Sequence, residues 1–353
     1  MTADDTIYMQ RCLELAQKGA YYTAPNPMVG SVIVCNGKII GEGYHRKAGE
    51  PHAEINAINN VKDKSLLKKS TLYVNLEPCS HFGKTPPCAV KIAELGIPKV
   101  VIGIRDFSKK VNGKGVAILK EAGVEVEEGV LQEEAFFLNR RFFTYHQQHR
   151  PYIILKWAET QDGFIDIDRS VKQPEIHWIT NALSKSLVHK GRAVESAILI
   201  GKNTALFDNP QLTVRHWSQT NSPVRVLIDK NLEVPKNAKI FDDTSKTIVF
   251  NALVSKQETT VSYVKIDFSD TQKVITQLLQ YLYDMQLQSV IVEGGRETLL
   301  HFIKNNLWDE YQVYRGALCF ENGVKAPDLP QEPQHEEALH ETVLTVGYNE
   351  INL

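Results

Sequence analysis

The chain has 353 residues, 42% of them hydrophobic and 23% charged, a globular composition with room for two domains that each bury a core. Its formal net charge of −2 argues against a protein wrapped in nucleic acid, which carries a basic excess, and no run of about 18 apolar residues is present to span a bilayer. Five cysteines, scattered from Cys12 and Cys35 to Cys319, do not resemble a secreted disulfide framework; Met1 to Gln10 lacks a basic-then-apolar leader pattern, so the cytosol is the expected compartment.

Helical periodicity runs from Ile7 to Ala20, with Cys12, Leu13 and Ala16 on one face. Val29 to Cys35 reads as a strand, and Asn36-Gly37 supplies a tight turn into a second strand, Ile39 to Tyr44. The pattern then predicts a helix from Pro51 through Ala57, a strand at Thr71 to Asn75, and a helix opened by Pro86-Pro87 and ended at Gly96. A strand at Lys99 to Ile104, a helix at Gly115 to Ala122, a strand at Val124 to Val126 and one helix from Gln132 to Gln147 complete the first half. Interleaving of this kind argues for a three-layer α/β/α domain over residues 1–147. Short basic runs at Lys68-Lys69 and Lys109-Lys110 read as solvated faces.

A new α/β domain over residues 148–353 is predicted to begin ahead of Pro151. Its strands are Tyr152 to Trp157, Ala197 to Ile200, Val224 to Ile228, Thr247 to Phe250 and Ser289 to Val292. Helices fit Ala182 to Arg192, Lys273 to Met285 and Thr298 to Asn305. No internal repeat links the halves, and the last 30 or so residues, rich in Glu, Pro and His, show little periodicity.

The chemistry of the first half concentrates in Pro51-His52-Ala53-Glu54, Glu77-Pro78-Cys79 and Pro86-Pro87-Cys88. His52, Cys79 and Cys88 form a ligand set suited to tetrahedral zinc, and three protein ligands leave one position for water, as catalytic sites do. Zinc would bring the pKa of that water to about 7. Glu54, two residues from a ligand at a helix start, is placed to shuttle the protons of that water. Cys79 and Cys88 both adjoin prolines at expected helix starts, where the helix dipole favours thiolates. His-x-Glu followed by Pro-Cys and a second Cys is the pattern of zinc deaminases, although these usually space their cysteines as Cys-x-x-Cys.

The longer insert, Ser80-His81-Phe82-Gly83-Lys84-Thr85-Pro86-Pro87, narrows the match. With Asn26-Pro27-Met28-Val29-Gly30 and Gly43-Tyr44-His45, it resembles the bifunctional deaminase–reductase family of riboflavin biosynthesis. That resemblance covers nearly the whole chain. It implies a cytidine-deaminase-like first domain that removes the 2-amino group of 2,5-diamino-6-(5-phosphoribosylamino)pyrimidin-4-one. Asn26, His45, His81 and Lys84 match its substrate positions, with amide and imidazole suited to ring edges and Lys84 to phosphate. Arg105-Asp106-Phe107-Ser108 departs from the family's usual Arg-Asp-Pro-Asn.

The second half has no Gly-x-Gly-x-x-Gly after a strand, so a Rossmann site is not indicated. Its glycine signal is Glu293-Gly294-Gly295 between a strand and a helix, where backbone N–H groups can approach a phosphate. Leu155-Lys156, Trp178-Ile179-Thr180, Asn203-Thr204, Asp208-Asn209-Pro210 and Leu212-Thr213-Val214-Arg215 resemble the family's reductase domain, with its dihydrofolate-reductase-like fold. The likeness implies that Ala158, Trp178, Thr204, Asp208, Gly294 and Gly295 line an NADPH site. It assigns Arg192, Leu212, Arg215 and Glu293 to the substrate, the two guanidinium forks suiting a ribose phosphate. Lys156 fits either a substrate contact or a structural ion pair. Ile176 stands where a substrate-binding serine is usual, and Glu159-Thr160-Gln161 replaces a more common Ala-Ser-Leu.

The implied second reaction is hydride transfer from NADPH that opens the ribosyl group to ribityl. The expected partner is thus a phosphoribosylated pyrimidine, with no nucleic acid and no membrane, and family likeness suggests a homo-oligomer. Three alternatives compete: a tRNA or nucleoside deaminase with an accessory domain, a deaminase whose second half no longer reduces, and a structural zinc protein joined to a binding module.

Overall fold

Asn36 and Gly37 both adopt positive φ, 51° and 73°, as a two-residue I′ turn requires. The computed structural model describes residues 3–80, 86–108, 111–169, 178–218 and 221–350. It divides into two compact units, Met1–His149 and Arg150–Leu353.

In the first unit, Ala3–Gln17 (α1) precedes the hairpin of Gly30–Cys35 (β1) and Lys38–Tyr44 (β2). Then come Ala53–Asn60 (α2), Thr71–Leu76 (β3), Cys88–Glu94 (α3), Lys99–Ile104 (β4), Lys114–Glu121 (α4), Glu125–Glu128 (β5), Gln132–Leu138 (α5) and Arg140–Gln148 (α6). The sheet order is β2-β1-β3-β4-β5, with β1 antiparallel to both neighbours and β3, β4 and β5 mutually parallel. Alternate strand residues face opposite layers. Ile33, Leu72, Val74, Val100 and Ile102 pack on Ala57, Ile92, Val116 and Leu119 of α2, α3 and α4. Val32, Val34, Tyr73 and Val101 meet Met9, Cys12 and Leu15 of α1. The three-layer α/β/α arrangement follows. Gly43 lets α2 lie directly on β2, because a Cβ there would stand 2.3 Å from the Ala57 nitrogen.

One expected element is corrected. The helix read from Gln132 to Gln147 is two helices, broken at Asn139 (φ −104°, ψ 20°). The Asn139 side chain serves the backbone of Met28, accepting from its N–H at 2.8 Å and donating to its carbonyl at 2.9 Å. A distant partner thus overrides local helix propensity.

The second unit comprises Tyr152–Glu159 (β6), Phe164–Asp166 (β7), Ala182–Val194 (α7), Ala197–Gly201 (β8), Lys202–Asp208 (α8), Val224–Ile228 (β9), Thr247–Asn251 (β10), Lys256–Gln257 (β11) and Val261–Lys265 (β12). Thr271–Asp284 (α9), Ser289–Val292 (β13), Arg296–Lys304 (α10), Glu310–Arg315 (β14), Val324–Lys325 (β15), His335–Leu339 (β16) and Thr342–Tyr348 (β17) follow. The main sheet runs β11-β12-β10-β9-β8-β13-β6-β14-β17-β16. It is parallel from β12 to β14 and antiparallel at both edges. Ile153, Leu155, Leu199, Val226, Val290 and Val292 bury against Leu278 and Leu282 of α9 and Phe302 of α10. Ile154, Ile198, Leu227 and Ile291 face the opposite layer, which contains Ala205 of α8. The sheet holds more strands than periodicity indicated. β14 and β16 are polar-rich strands; β14 pairs with β6 and β17, both distant in sequence, whereas β16 and β17 form a local hairpin.

Candidate active sites

Three side chains from separate elements converge in the first unit. His52 precedes α2, Cys79 follows β3, and Cys88 opens α3. His52 Nδ1 lies 3.5 Å from Cys79 Sγ and 3.4 Å from Cys88 Sγ, and the three ligand atoms fall within 4.8 Å of one another. A tetrahedron with zinc bonds of about 2.05 Å to nitrogen and about 2.3 Å to sulfur has an N–S edge of about 3.6 Å, so these donors fit zinc without rearrangement. Among the described residues the cluster holds three ligating groups and no fourth.

Cys79 requires a correction: it lies in a loop and opens no helix. It still benefits from one, because the backbone N–H of Cys88 at the start of α3 donates to Cys79 Sγ at 3.3 Å. The Cys88 thiol, then His52 and that N–H, bring the Cys79 thiol down to about 4. The reciprocal bond with Cys79, and burial, push Cys88 up. Bonding to Cys79 raises His52 to about 9.

Glu54, in the first turn of α2, is buried beside this cluster. Burial pushes its carboxyl up from the ordinary carboxylate range, against the opposing pull of His52. The group is therefore readier to accept a proton than an exposed glutamate. His45 is also buried, and its ring meets that of His52 edge-on with centroids 5.5 Å apart. Its Nδ1 faces the Pro51 carbonyl at 3.3 Å and its Nε2 the Asn26 amide at 3.1 Å. Burial lowers its pKa, so the neutral ring donates at Nδ1 and accepts at Nε2. Asn26 and His45 are thus brought together next to the zinc ligands. His81 and Lys84 lie outside the described residues, as does Ile176 in the second unit.

Sequence reasoning missed what holds this loop. Glu77 is buried, and its two carboxylate oxygens accept four backbone N–H groups, from Asp106, Gly113, Gly115 and Val116, at 2.9 to 3.2 Å. It anchors Pro78-Cys79 on the N-terminus of α4, where an anion is favoured. The available signal was a carboxylate directly before the Pro-Cys pair.

In the second unit a cleft of about 1220 Å³ opens at the carboxyl ends of β6, β8, β9 and β13, where parallel sheets receive ligands. Lys156, Ala158, Trp178, Thr204 and Asp208 line it, together with Gly294 and Gly295. Arg192, Leu212, Arg215 and Glu293 line the same cleft. The Gly295 N–H donates to Thr204 Oγ1 at 2.9 Å, and α10 starts there without a side-chain cap. Trp178 is largely exposed, with Lys185 Nζ 4.2 Å above its ring. Asp208 pairs with Arg169 at 3.2 Å, an arginine that motif reading did not pick out.

Arg192 is not a free phosphate fork. Its Nη2 and Nε bond both oxygens of Glu293, at 2.7 and 3.3 Å. Burial alone would push Glu293 up, but Arg192 and Lys156 outweigh it and bring the carboxyl down to about 2. Lys156 is lowered by burial and sits 5.7 Å from the Tyr314 ring centre.

A His–Cys–Cys cluster beside a buried carboxylate on this sheet defines a zinc-dependent deaminase domain of the cytidine-deaminase class. Residues 2–104 match the family described as the cytidine and deoxycytidylate deaminase zinc-binding region, and residues 151–339 match the RibD C-terminal domain. The riboflavin biosynthesis protein RibD of Aquifex aeolicus is 41% identical over 332 residues, 92% of this chain and 90% of that protein. Among solved structures, a diaminohydroxyphosphoribosylaminopyrimidine deaminase/5-amino-6-(5-phosphoribosylamino)uracil reductase from Thermotoga maritima superposes with a TM-score of 0.86 at 36% identity, covering 97% of this chain and 98% of its own. RibD of Acinetobacter baumannii gives 0.84 at 32% identity with the same coverage. The chain belongs to the RibD family of bifunctional riboflavin biosynthesis enzymes.

Proposed function

We propose that the first unit deaminates 2,5-diamino-6-(5-phosphoribosylamino)pyrimidin-4-one and that the second reduces the ribosyl group of the deaminated product with NADPH. The observation that carries the first assignment is the convergence of His52, Cys79 and Cys88 around one point with Glu54 buried beside them. Those three side chains would hold zinc, which supplies a Lewis acid that activates water at neutral pH. Glu54, its proton affinity raised by burial, relays the attacking water's two protons in turn, the first to the ring nitrogen and the second to the leaving amine. Asn26 and His45 orient the pyrimidine edge through their linked amide and imidazole. Cys79 is held as a thiolate by the Cys88 N–H and by the loop that Glu77 anchors.

In the second unit NADPH supplies the hydride. The uncapped first turn of α10 offers N–H groups to its phosphates, with Thr204 fixing the Gly294-Gly295 turn. Lys156 and the Arg192–Glu293 pair form the polar floor beneath the sugar, and Arg215 serves the substrate phosphate. Free cysteines throughout the chain suit a cytosolic setting, and among the described residues no helix is long and apolar enough to cross a membrane. Family likeness supports a homo-oligomer, which sedimentation would test.

The decisive experiment follows ammonia and NADPH together on Glu54→Gln. We expect ammonia release to fall about 10²- to 10⁴-fold with zinc content retained and with NADPH oxidation on deaminated substrate unchanged. Ammonia release within a few-fold of the parent would remove Glu54 from the mechanism.

A further inference from the structure

His189 is a buried imidazole that the proposed chemistry does not use. It lies on α7, three residues before Arg192, and lines the second unit's cleft at 3% exposure. Its Nδ1 accepts the backbone N–H of Arg215 at 3.1 Å. A backbone N–H can only donate, so the ring proton of the neutral imidazole resides on Nε2. Burial, with Arg192, Arg215 and His216 nearby, holds His189 down to about 4, so this neutral tautomer prevails at physiological pH.

No acceptor meets Nε2 among the described residues. Nor is that atom sealed: the one buried side-chain nitrogen or oxygen left without a partner among those residues is Arg296 Nε. Nε2 is therefore not fully enclosed, and His189 lines the cleft.

The charges around it call for an anion. Lys156, Arg192 and Arg215 line the cleft near Glu293, whose carboxylate is occupied by Arg192. The Arg215 guanidinium donates to Gln211 at 3.1 Å and Thr213 at 2.8 Å and has no carboxylate partner among the described residues. A neutral N–H beside a guanidinium can bind a phosphoryl oxygen without placing a second cation in the site.

We propose that His189 is a binding residue that donates its Nε2–H to a phosphate monoester seated against Arg215. This rests on the reading that the cleft takes a phosphoribosyl substrate, and it commits to the sugar phosphate over the phosphates of NADPH.

The test compares His189→Phe with His189→Gln in the full zinc-loaded chain. Phenylalanine removes both ring nitrogens, whereas glutamine, its amide reaching the Nε2 position, keeps an N–H there and leaves no group at the Nδ1 position that serves the Arg215 N–H. Calorimetry measures the Kd of ribose 5-phosphate, ribose and NADPH. A hydrogen bond to a charged group implies a loss of about tenfold to a hundredfold. We expect H189F to lose ribose 5-phosphate affinity by that factor and H189Q by less than about threefold, with ribose and NADPH unchanged in both. The KM for the deaminated substrate should follow ribose 5-phosphate while kcat holds. Equal losses in the two variants would reduce His189 to a support for the Arg215 backbone and overturn the proposal. So would a loss confined to NADPH. A parent that binds ribose 5-phosphate through His189 yet oxidises no NADPH would instead refute the reductase reading and leave the phosphate site standing. Normal turnover with H189F indistinguishable from the parent would do the reverse.

Discussion

Replacing Glu77 with glutamine tests how the zinc loop is built. One carboxylate oxygen accepts Gly115 N–H at 2.9 Å and Val116 N–H at 3.1 Å, and the other accepts Asp106 N–H at 3.2 Å and Gly113 N–H at 3.0 Å. Whichever oxygen becomes an amide nitrogen, two buried N–H groups lose their acceptor and face another donor. At about 1.5–3 kcal/mol for each bond to a charged group, the sum is about 3–6 kcal/mol, and relaxation of the turn brings it to about 3. That is a large share of the roughly 5–15 kcal/mol that holds a domain together. Relaxation is limited, because the turn already runs so close to the loop that a Cβ on Gly115 would stand 2.0 Å from the Pro78 carbonyl oxygen. The assay is amide hydrogen exchange at Gly113, Gly115 and Val116, read together with zinc content after dialysis. E77Q should speed exchange there by about a hundredfold and lower zinc retention, since Cys79 lies two residues on. Parent-like exchange at those amides with full zinc would refute the anchoring role.

Three further outcomes are expected. Burial pushes the Asp242 carboxyl up, but bonds from Thr244, Arg225 and Gln211 bring it down to about 2, below the roughly 3.9 of an unfolded chain. Its contribution is therefore complete above about pH 4 and lost as pH falls toward 2, about 1–2 kcal/mol after allowing for its 31% side-chain exposure. Asp242→Asn should abolish that acid step in unfolding curves and cost about 3 kcal/mol at neutral pH, because the fully buried Arg225 keeps its charge. Asn139→Ala strips Met28 of an N–H acceptor and a carbonyl donor, so thermal melting should register about 2 kcal/mol of loss. The KM for deamination should rise with kcat nearly constant, since Asn26 lies two residues from the released backbone. Gly294→Ala brings a Cβ to 3.0 Å from the Gly201 nitrogen and 3.1 Å from Thr298 Cβ, so the turn must shift. NADPH affinity, followed by fluorescence, should drop about tenfold if about 1.4 kcal/mol is lost.

The zinc site was legible because its chemistry is carried by residue types that few other roles demand together: His52, Cys79 and Cys88, with a carboxylate two residues from the histidine. The first unit's strands were legible for a related reason. Their side chains alternate between two helical layers, and Asn36-Gly37 marks its turn without tertiary help. What failed was wherever a distant group decided the outcome. Asn139 ends a helix that local periodicity would continue, in order to hold Met28. β14 exists through its pairing with β6 on one side and β17 on the other.

Ionic partnership follows the same rule, with consequences for the second site. Motif likeness placed Arg192, Arg215 and Glu293 around one ligand, but a motif records which residues line a cleft and not which of them already satisfy one another. The structure pairs Arg192 with Glu293 in a bond made at both oxygens, so stripping that pair to bind phosphate would leave a buried carboxylate uncompensated. Arg215 carries no such debt. Among the described residues its guanidinium bonds only Gln211 and Thr213, and its backbone N–H also sets the tautomer of His189. On the proposed reading, anion recognition would fall to Arg215, which has no paired carboxylate among the described residues, and to the imidazole its backbone orients, with the Arg192–Glu293 pair and Lys156 lining the same cleft.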